Sequence, residues 1–145
     1  MQIINEFRMS FDSKSVNEGF SRAAVAAFAA QLDPTLDEIA DIKMAVSEAV
    51  TNCIVHAYPE TVGKIYIYAA VCEGGIVKIS VRDKGCGIID VKQAMEPLFT
   101  TLGGERAGLG FAVMESFTDK ISVRSKYGKG TTVTMYKKIN GRAAL

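Results

Sequence analysis

The chain has 145 residues and a mass of 15.6 kDa, the size of one compact domain that can bury roughly two thirds of its unfolded surface. Hydrophobic residues make up 48% and charged residues 23%, a balance that is typical of a soluble globular protein and argues against a disordered chain or a coiled coil. The formal net charge of +1 provides no bulk attraction to nucleic acid or anionic lipid, so we expect neither as a direct partner.

The sequence contains no pattern of a membrane span or a secretory signal. Its longest run of small apolar residues covers positions 23–30, far short of the roughly 20 residues that cross a bilayer. The three cysteines, Cys53, Cys72 and Cys86, are widely spaced and form no CxxC pair, which argues against a disulfide framework or a zinc site. We therefore expect a single cytoplasmic domain over residues 1–145.

The two halves of the chain carry opposite charge. Residues 1–62 contain four Lys and Arg against nine Asp and Glu, whereas residues 63–145 contain thirteen against seven. No acidic residue follows Asp119. Two interpretations are open, namely solvated strand faces or a docking surface for an acidic protein partner.

The first half of the chain predicts one strand and two helices. Apolar residues alternate over 3–11, the period of a half-buried strand. The capping-box pairs Ser15 with Glu18 and Thr35 with Glu38 predict where the two helices begin, and the prolines at 34 and 59 where they end. The apolar stripe of the second helix is predicted to contain Leu36, Ile39, Ile42, Val46, Val50, Cys53, Ile54 and Ala57.

The second half predicts strands, a glycine-rich loop and one more helix. Runs at 63–72 and 76–83, joined by residues 73–75, predict an antiparallel hairpin. A bend at 85–87, a short helical piece at 91–95 and a loop of lid length at 97–110 follow, then a helix from about 109 to 117. Strands at 120–125 and 131–138 close the chain. The predicted fold is an α/β two-layer sandwich, with helices on one face of a mixed, largely antiparallel sheet.

Polar residues line one face of the second predicted helix. Glu48, Asn52 and His56 follow one another at i, i+4 and i+8. Small apolar neighbours would shield Glu48 partly from water, as a general base requires, and Asn52 offers a neutral oxygen suited to a hard divalent cation. The competing interpretation is a solvated helix face.

An aspartate and two glycines follow the strand at 76–83. The glycine pair Gly85 and Gly87 lets the backbone come close to a ligand, and Asp83 at the strand end offers an acceptor to an amino group. The spacing lacks the third glycine of a dinucleotide fingerprint, and no Walker A loop occurs in the chain. Taken alone, this segment is equally consistent with a tight turn.

Two further segments combine glycine with polar side chains. Gly108 and Gly110, with Arg106 beside them, stand at a predicted helix start, where free N–H groups bind phosphate. A hinge without a ligand fits the same pattern. In the segment Gly130-Thr131-Thr132, the hydroxyls could bond Asp83 or merely the strand edge.

The order of these four segments resembles the N, G1, G2 and G3 boxes of the gyrase, Hsp90, histidine-kinase and MutL ATPase superfamily. That superfamily has the Bergerat-type ATP-binding fold. The segments at 31–38, 46–52 and 97–101 are similar to those of the anti-sigma F factors, a family of sporulation serine kinases. The chain departs from that family in the lid, where Thr101-Leu102-Gly103-Gly104 replaces a Thr-Thr-Lys-Pro sequence.

The resemblance implies a site for ATP or ADP with Mg²⁺. Asp83 would accept a hydrogen bond from the adenine amino group, Asn52 would hold Mg²⁺, and Gly108 and Gly110 would cradle the phosphates under a lid. The residues implied to bind the nucleotide are Asn52, Asp83, Gly85, Gly87, Thr101, Arg106, Gly108, Gly110 and Thr131.

The resemblance also implies an activity and partners. The family phosphorylates a serine of an anti-anti-sigma factor, for which Glu48 would take the serine proton, and it inhibits sigma factor F. Arg22 and Arg106 occupy positions implied to contact partners, and a homodimer is implied. The alternative from another class is a non-catalytic sigma-binding module whose nucleotide only sets its conformation. A histidine kinase fragment and a gyrase-like ATPase fit less well, because we see neither a dimerisation helix pair nor a transducer domain.

Overall fold

Five strands and three α-helices make up the part of the chain that the computed structural model describes, residues 1–88 and 106–142. The strands are β1 (Ile3–Asp12), β2 (Lys64–Cys72), β3 (Ile76–Asp83), β4 (Lys120–Lys126) and β5 (Gly130–Lys138). The helices are α1 (Val16–Ala29), α2 (Leu36–Asn52) and α3 (Arg106–Ser116). A 3₁₀ turn at Ala30–Leu32 follows α1, and a π-helical turn at Cys53–Ala57 follows α2. The predicted helical piece at 91–95 and most of the predicted lid lie outside the described residues.

The strands form one sheet in the order β1-β2-β3-β5-β4. All four pairings in the described residues are antiparallel. The predicted hairpin of β2 and β3 is confirmed, and its turn uses Gly74 and Gly75 at φ +83° and +75°, a region that glycine enters without strain. Because β1 and β4 stand at the two ends of this order, β3 lies in the centre.

The core lies between one face of the sheet and the helices. Alternate residues of β2 and β3 point inward, so that Ile65, Ile67, Ile79 and Val81 are at most 1% exposed. They belong to the same apolar cluster as Val46 and the other buried residues of α2. The predicted two-layer α/β sandwich is thereby confirmed.

Only one of the two predicted capping boxes forms. Thr35 has an extended backbone, and its hydroxyl accepts a hydrogen bond from the Glu38 N–H at 3.1 Å while the Glu38 carboxylate accepts from the Thr35 N–H at 2.9 Å. The helix α1 begins directly after Ser15, as predicted, but the capping box at Ser15 does not form, because the Ser15 backbone is already helical and its side chain caps nothing. Glu18 instead forms an ion pair with Arg22 at 2.7 Å.

The buried stripe of α2 also differs from the prediction at its first turn. Leu36 is 88% exposed, whereas Glu38 is buried. The Glu38 carboxylate accepts hydrogen bonds from the backbone N–H groups of Asn140 and Gly141, at 2.7 and 3.1 Å. A returning C-terminal segment therefore covers the turn at Glu38 and leaves Leu36 in solvent.

Candidate functional site

Glu48 and Asn52 lie one turn apart at the end of α2. Both residues are half-buried, as the sequence predicts for Glu48. The Asn52 Nδ2 atom is buried and has no hydrogen-bond partner among the described residues. A Cβ added at Gly110 of α3 would lie 2.8 Å from both Nδ2 and Oδ1 of Asn52. The first and third sequence boxes therefore meet here, and the contact requires glycine at position 110.

The helix widens immediately after Asn52. The N–H of Tyr58 donates to the Cys53 carbonyl at 3.1 Å and closes a π-helical turn. The i, i+4 spacing that aligns Glu48 with Asn52 does not continue through this wider turn. The spacing therefore no longer supports the prediction that His56 lies on the same helix face as Glu48 and Asn52. Single π turns of this kind recur at functional sites.

Asp83, the last residue of β3, is 6% exposed and accepts three hydrogen bonds. Its Oδ1 accepts from the N–H groups of Gly85 at 2.9 Å and Thr131 at 3.2 Å. Its Oδ2 accepts from the Cys53 thiol at 3.5 Å. Burial raises the pKa of Asp83, and the three hydrogen bonds only partly oppose that rise. The result is a buried acceptor at the edge of the glycine bend.

The glycines around Asp83 bring backbone against backbone. A Cβ at Gly85 would lie 2.3 Å from the Ala57 carbonyl oxygen, and one at Gly130 would lie 2.3 Å from the Asp83 carbonyl oxygen. Gly87 has a φ of +74°, and a Cβ there would lie 2.3 Å from the Lys126 carbonyl oxygen. The bend is thus fitted between the π turn and the β4–β5 turn, which only glycine permits.

Thr131 contacts Asp83 through its backbone and not through its hydroxyl. The hydroxyl lies 2.8 Å from the Ser125 Oγ, which in turn accepts from the N–H of Ile88 at 2.7 Å. The sequence left two partners open for this hydroxyl, Asp83 or the strand edge. The hydroxyl instead forms a hydrogen bond with the side chain of Ser125 on the neighbouring strand β4. Ser125 orients Thr131 at the mouth of the glycine bend.

Three residues of the site were not singled out from the sequence. Cys53 and Ser125 hold Asp83 and Thr131, and the Tyr58 hydroxyl accepts from the Lys84 N–H and donates to the Lys64 carbonyl, both at 2.7 Å. Cys53 carried a usable signal, because it directly follows Asn52 in the first box. Ser125 and Tyr58 carried none, because serine and tyrosine in those contexts are ordinary.

The predicted phosphate-binding residues are described only in part. Thr101 lies outside the described residues, and for Arg106 and Gly108 the structure describes the backbone alone, as the first turn of α3. The helix begins at Arg106 and not near position 109 as predicted. Because only the first four N–H groups of a helix are free, Gly110 lies beyond them and acts by its missing side chain.

Arg22 lies on the exposed side of α1. Its Nη1 is 2.7 Å from Glu18 Oε1 and 3.5 Å from the Ser47 hydroxyl, so it joins α1 to the residue before Glu48. The predicted partner contact and the predicted catalytic carboxylate thus occupy neighbouring parts of the helical layer.

A divalent cation would find one neutral oxygen donor here. Within residues 1–88 and 106–142 no group of three or more His, Cys, Asp and Glu side chains could hold a metal ion. The Asn52 amide fits an ion such as Mg²⁺ through its Oδ1 oxygen, with water and phosphate oxygens as the other ligands. Its buried Nδ2, which has no partner among the described residues, is a donor and suits a phosphate oxygen instead. In the same described ranges no helix is long and apolar enough to cross a membrane.

Comparison with known proteins identifies the family. The family described as "Histidine kinase-like ATPase domain" matches residues 12–137. The protein named anti-sigma F factor of Caldanaerobacter subterraneus subsp. tengcongensis is 58% identical over 140 residues, which cover 96% of this chain and 97% of that protein. The protein of the same name from Geobacillus kaustophilus is 49% identical over 142 residues, covering 97% of each.

Solved structures show the same fold at low sequence identity. The RsbU and RsbW domains of Rv1364c from Mycobacterium tuberculosis superpose with a TM-score of 0.69 at 24% identity, covering 93% of this chain and 32% of that one. The mycobacterial sensor histidine kinase MprB gives a TM-score of 0.58 at 14% identity, covering 90% and 97%. The family model and the two relatives at 58% and 49% identity show that the chain belongs to the anti-sigma F factors, within the family of histidine kinase-like ATPase domains.

Proposed function

We propose that this protein is an ATP-dependent protein serine kinase that binds and inhibits sigma factor F and phosphorylates a serine of an anti-anti-sigma partner. The names of its relatives and its ATPase-domain family support this assignment. The observation that carries it is the Asn52 amide, which is held against Gly110 and lies one helical turn from the half-buried Glu48. A phosphate-binding group and a general base would thus act side by side.

The base of ATP or ADP would bind at Asp83. Oδ1 is occupied by two backbone donors, but Oδ2 receives only the thiol and retains capacity for the adenine amino group. Gly87 and Thr131 border the same bend. The phosphates would extend from there toward Asn52 and the start of α3, where Thr101, Arg106 and Gly108 complete the nucleotide-binding residues.

Mg²⁺ bound at Asn52 would neutralise negative charge on the phosphates. The chain's own residues supply the rest of the chemistry. The serine oxygen of the partner attacks the γ-phosphorus while the bond from that phosphorus to the β,γ-bridging oxygen breaks. Glu48 accepts the serine proton, and the products are phosphoserine and ADP.

The partners would bind to the helical layer. Arg22, exposed on α1 and adjacent to Ser47, would contact sigma factor F, and Arg106 would contribute to partner binding from the start of α3. We propose a homodimer that uses the edge strand β1, where Ile3 and Ile4 are 43% and 64% exposed. The proposed setting is the cytoplasm.

The test of catalysis is a transfer assay with ATP labelled on its γ-phosphate. In the Glu48→Gln variant we expect phosphorylation of the anti-anti-sigma factor to fall by about 10² to 10⁴ while ATP affinity stays within about twofold. Glu60→Gln, a change at an exposed glutamate beyond α2, is the matched control and should behave as the unmodified protein.

Undiminished transfer by Glu48→Gln would remove Glu48 from the role of base. If the unmodified chain yields no phosphoprotein but inhibits sigma factor F in a nucleotide-dependent way, the result would support the non-catalytic module instead.

A further inference from the structure

Cys53 is a buried thiol directed at the most buried acceptor of the site. It is 5% exposed, and its Sγ lies 3.5 Å from Asp83 Oδ2. Burial, with the nearby Asp83 carboxylate, raises the pKa of Cys53 well above its usual value. The group is therefore a neutral thiol at physiological pH, and its S–H is available as a donor.

The two carboxylate oxygens of Asp83 accept different sets of hydrogen bonds. Oδ1 is saturated by the N–H groups of Gly85 and Thr131, which also fix its position relative to the glycine bend. Oδ2 has the thiol alone. A carboxylate oxygen has two acceptor positions, so Oδ2 keeps one free position in a direction set by the thiol.

We infer that Cys53 is a positioning residue that holds Asp83 Oδ2 as the acceptor for the amino group of adenine, and so sets the preference for adenine over purines with an oxo group in its place. This inference rests on the proposed nucleotide site. A thiol suits the task, because it is a weak donor that orients the carboxylate without competing strongly with the adenine amino group. Without it the carboxylate plane is held by Oδ1 alone and Oδ2 can turn away.

The inference is tested by comparing ATP with inosine triphosphate, whose base carries an oxo group that cannot donate to Oδ2. We expect Cys53→Ala in the full-length chain to lower the ATP to inosine triphosphate affinity ratio by about fivefold. Cys72→Ala is the matched control, because Cys72 is also buried, at 1% exposure, but lies at the far end of β2. It should leave the ratio unchanged.

Two further variants separate positioning from packing. Cys53→Ser retains a donor and should restore the ratio to within about twofold of the unmodified protein, whereas Cys53→Val fills the volume without a donor and should behave as Cys53→Ala. If Cys53→Ala fails to fold, the serine and valine variants carry the same comparison.

The inference is overturned if Cys53→Ala and Cys53→Val weaken both nucleotides equally, if their ratio stays within twofold of Cys72→Ala, or if serine gives no rescue. Asp83→Asn distinguishes this failure from failure of the site itself. If Asp83→Asn leaves the ATP to inosine triphosphate ratio unchanged, the proposed base pocket is wrong, whatever the Cys53 variants do.

Discussion

Asp83 is a residue at which the proposed role in binding adenine and the stability of the fold are opposed. Its raised pKa, caused first by burial, means that the folded state prefers the protonated carboxyl group. The stabilising contribution is complete below the unfolded pKa near 3.8 and is lost as the pH rises through the higher folded pKa. At neutral pH the ionised carboxylate therefore lowers the free energy of unfolding. We attribute the presence of this destabilising group to its proposed role as the acceptor for adenine.

We expect Asp83→Asn to lower ATP affinity at least tenfold, because the amide places a donor where the adenine amino group needs an acceptor. The melting temperature without nucleotide at pH 7 should not fall, since the buried charge is removed. Isothermal titration and thermal unfolding measure the two quantities.

Asp12→Asn is the control for Asp83→Asn. Asp12 is also the last residue of a strand, but it is only half-buried and is paired with Lys64 at 2.8 Å. It should change neither ATP affinity nor melting temperature appreciably. A fall of several degrees in Asp83→Asn together with lost binding would mean that the fold, and not the base contact, has been damaged.

At the scale of elements, α2 and α3 meet through a glycine. Gly110→Ala would place a Cβ 2.8 Å from both terminal atoms of the Asn52 amide, so the amide must move or the helices must separate. We expect ATP affinity to fall at least tenfold, measured by titration in the presence of Mg²⁺.

Gly19→Ala is the matched change on another helix. Gly19 lies within α1 and a Cβ there meets nothing within 4 Å. Alanine should stabilise the protein by about 0.5–1 kcal/mol through helix propensity and leave binding unchanged. Equal behaviour of the two variants would contradict a specific contact between Gly110 and Asn52.

The first turn of α2 is joined to the C-terminal segment by one carboxylate. Glu38→Ala removes the Thr35 capping box and the acceptor for the N–H groups of Asn140 and Gly141. We expect the free energy of unfolding to fall by about 1–3 kcal/mol in denaturant titrations. Leu36→Ala, two residues earlier and 88% exposed, should cost less than about 0.5 kcal/mol.

Glu38 also predicts a pH dependence of stability. Burial acts to raise its pKa, but hydrogen bonds from the backbone of Thr35, Asn140 and Gly141 outweigh burial and lower it. The stabilisation is therefore present above the unfolded pKa near 4.5 and is lost as the pH falls through the folded pKa. Between neutral pH and pH 4, Glu38→Gln should lose less stability than the unmodified protein; parallel curves would contradict this assignment.

At the scale of the whole molecule, the contacts of lysines and arginines in the basic second half of the chain distinguish the two interpretations of its charge. Arg82 lies over the Tyr66 ring at 5.0 Å and Lys120 over the Tyr136 ring at 5.6 Å, on the sheet face away from the helices. Lys137 pairs with Asp41 of α2 at 2.9 Å. These cations have partners within the protein, which favours the interpretation of solvated strand faces over that of a docking surface for an acidic protein partner.

Partner binding is instead predicted at the helical layer. We expect Arg22→Ala to weaken inhibition of sigma factor F at least tenfold in a transcription assay while ATP affinity is unchanged. Arg142→Ala is the matched control, because Arg142 is exposed like Arg22 and is likewise paired with a carboxylate, that of Asp33 at 2.8 Å. Equal inhibition by both variants would place the partner site away from Arg22.

Much of the architecture follows from local sequence. The alternation along β1, the capping box at Thr35 and the hairpin turn at Gly74 and Gly75 depend on residues within a few positions of one another, and the structure confirms them. The order of the glycine segments pointed to the family that the comparisons identify. The capping box at Ser15 and the burial of Leu36 were predicted wrongly, because the contacts at helix ends depend on what packs against them.

The sequence by itself thus determined the fold class and the family, and it supplied the residue types of the proposed nucleotide site. Only the tertiary structure decided which groups hold them in place. Cys53 and Asp83 are 30 residues apart, and Glu38 and Asn140 are 102 apart, so no local pattern predicts that they meet. The physical reason is that a buried acceptor must be satisfied by whichever donors the packed elements bring within reach, and packing is a property of the whole chain.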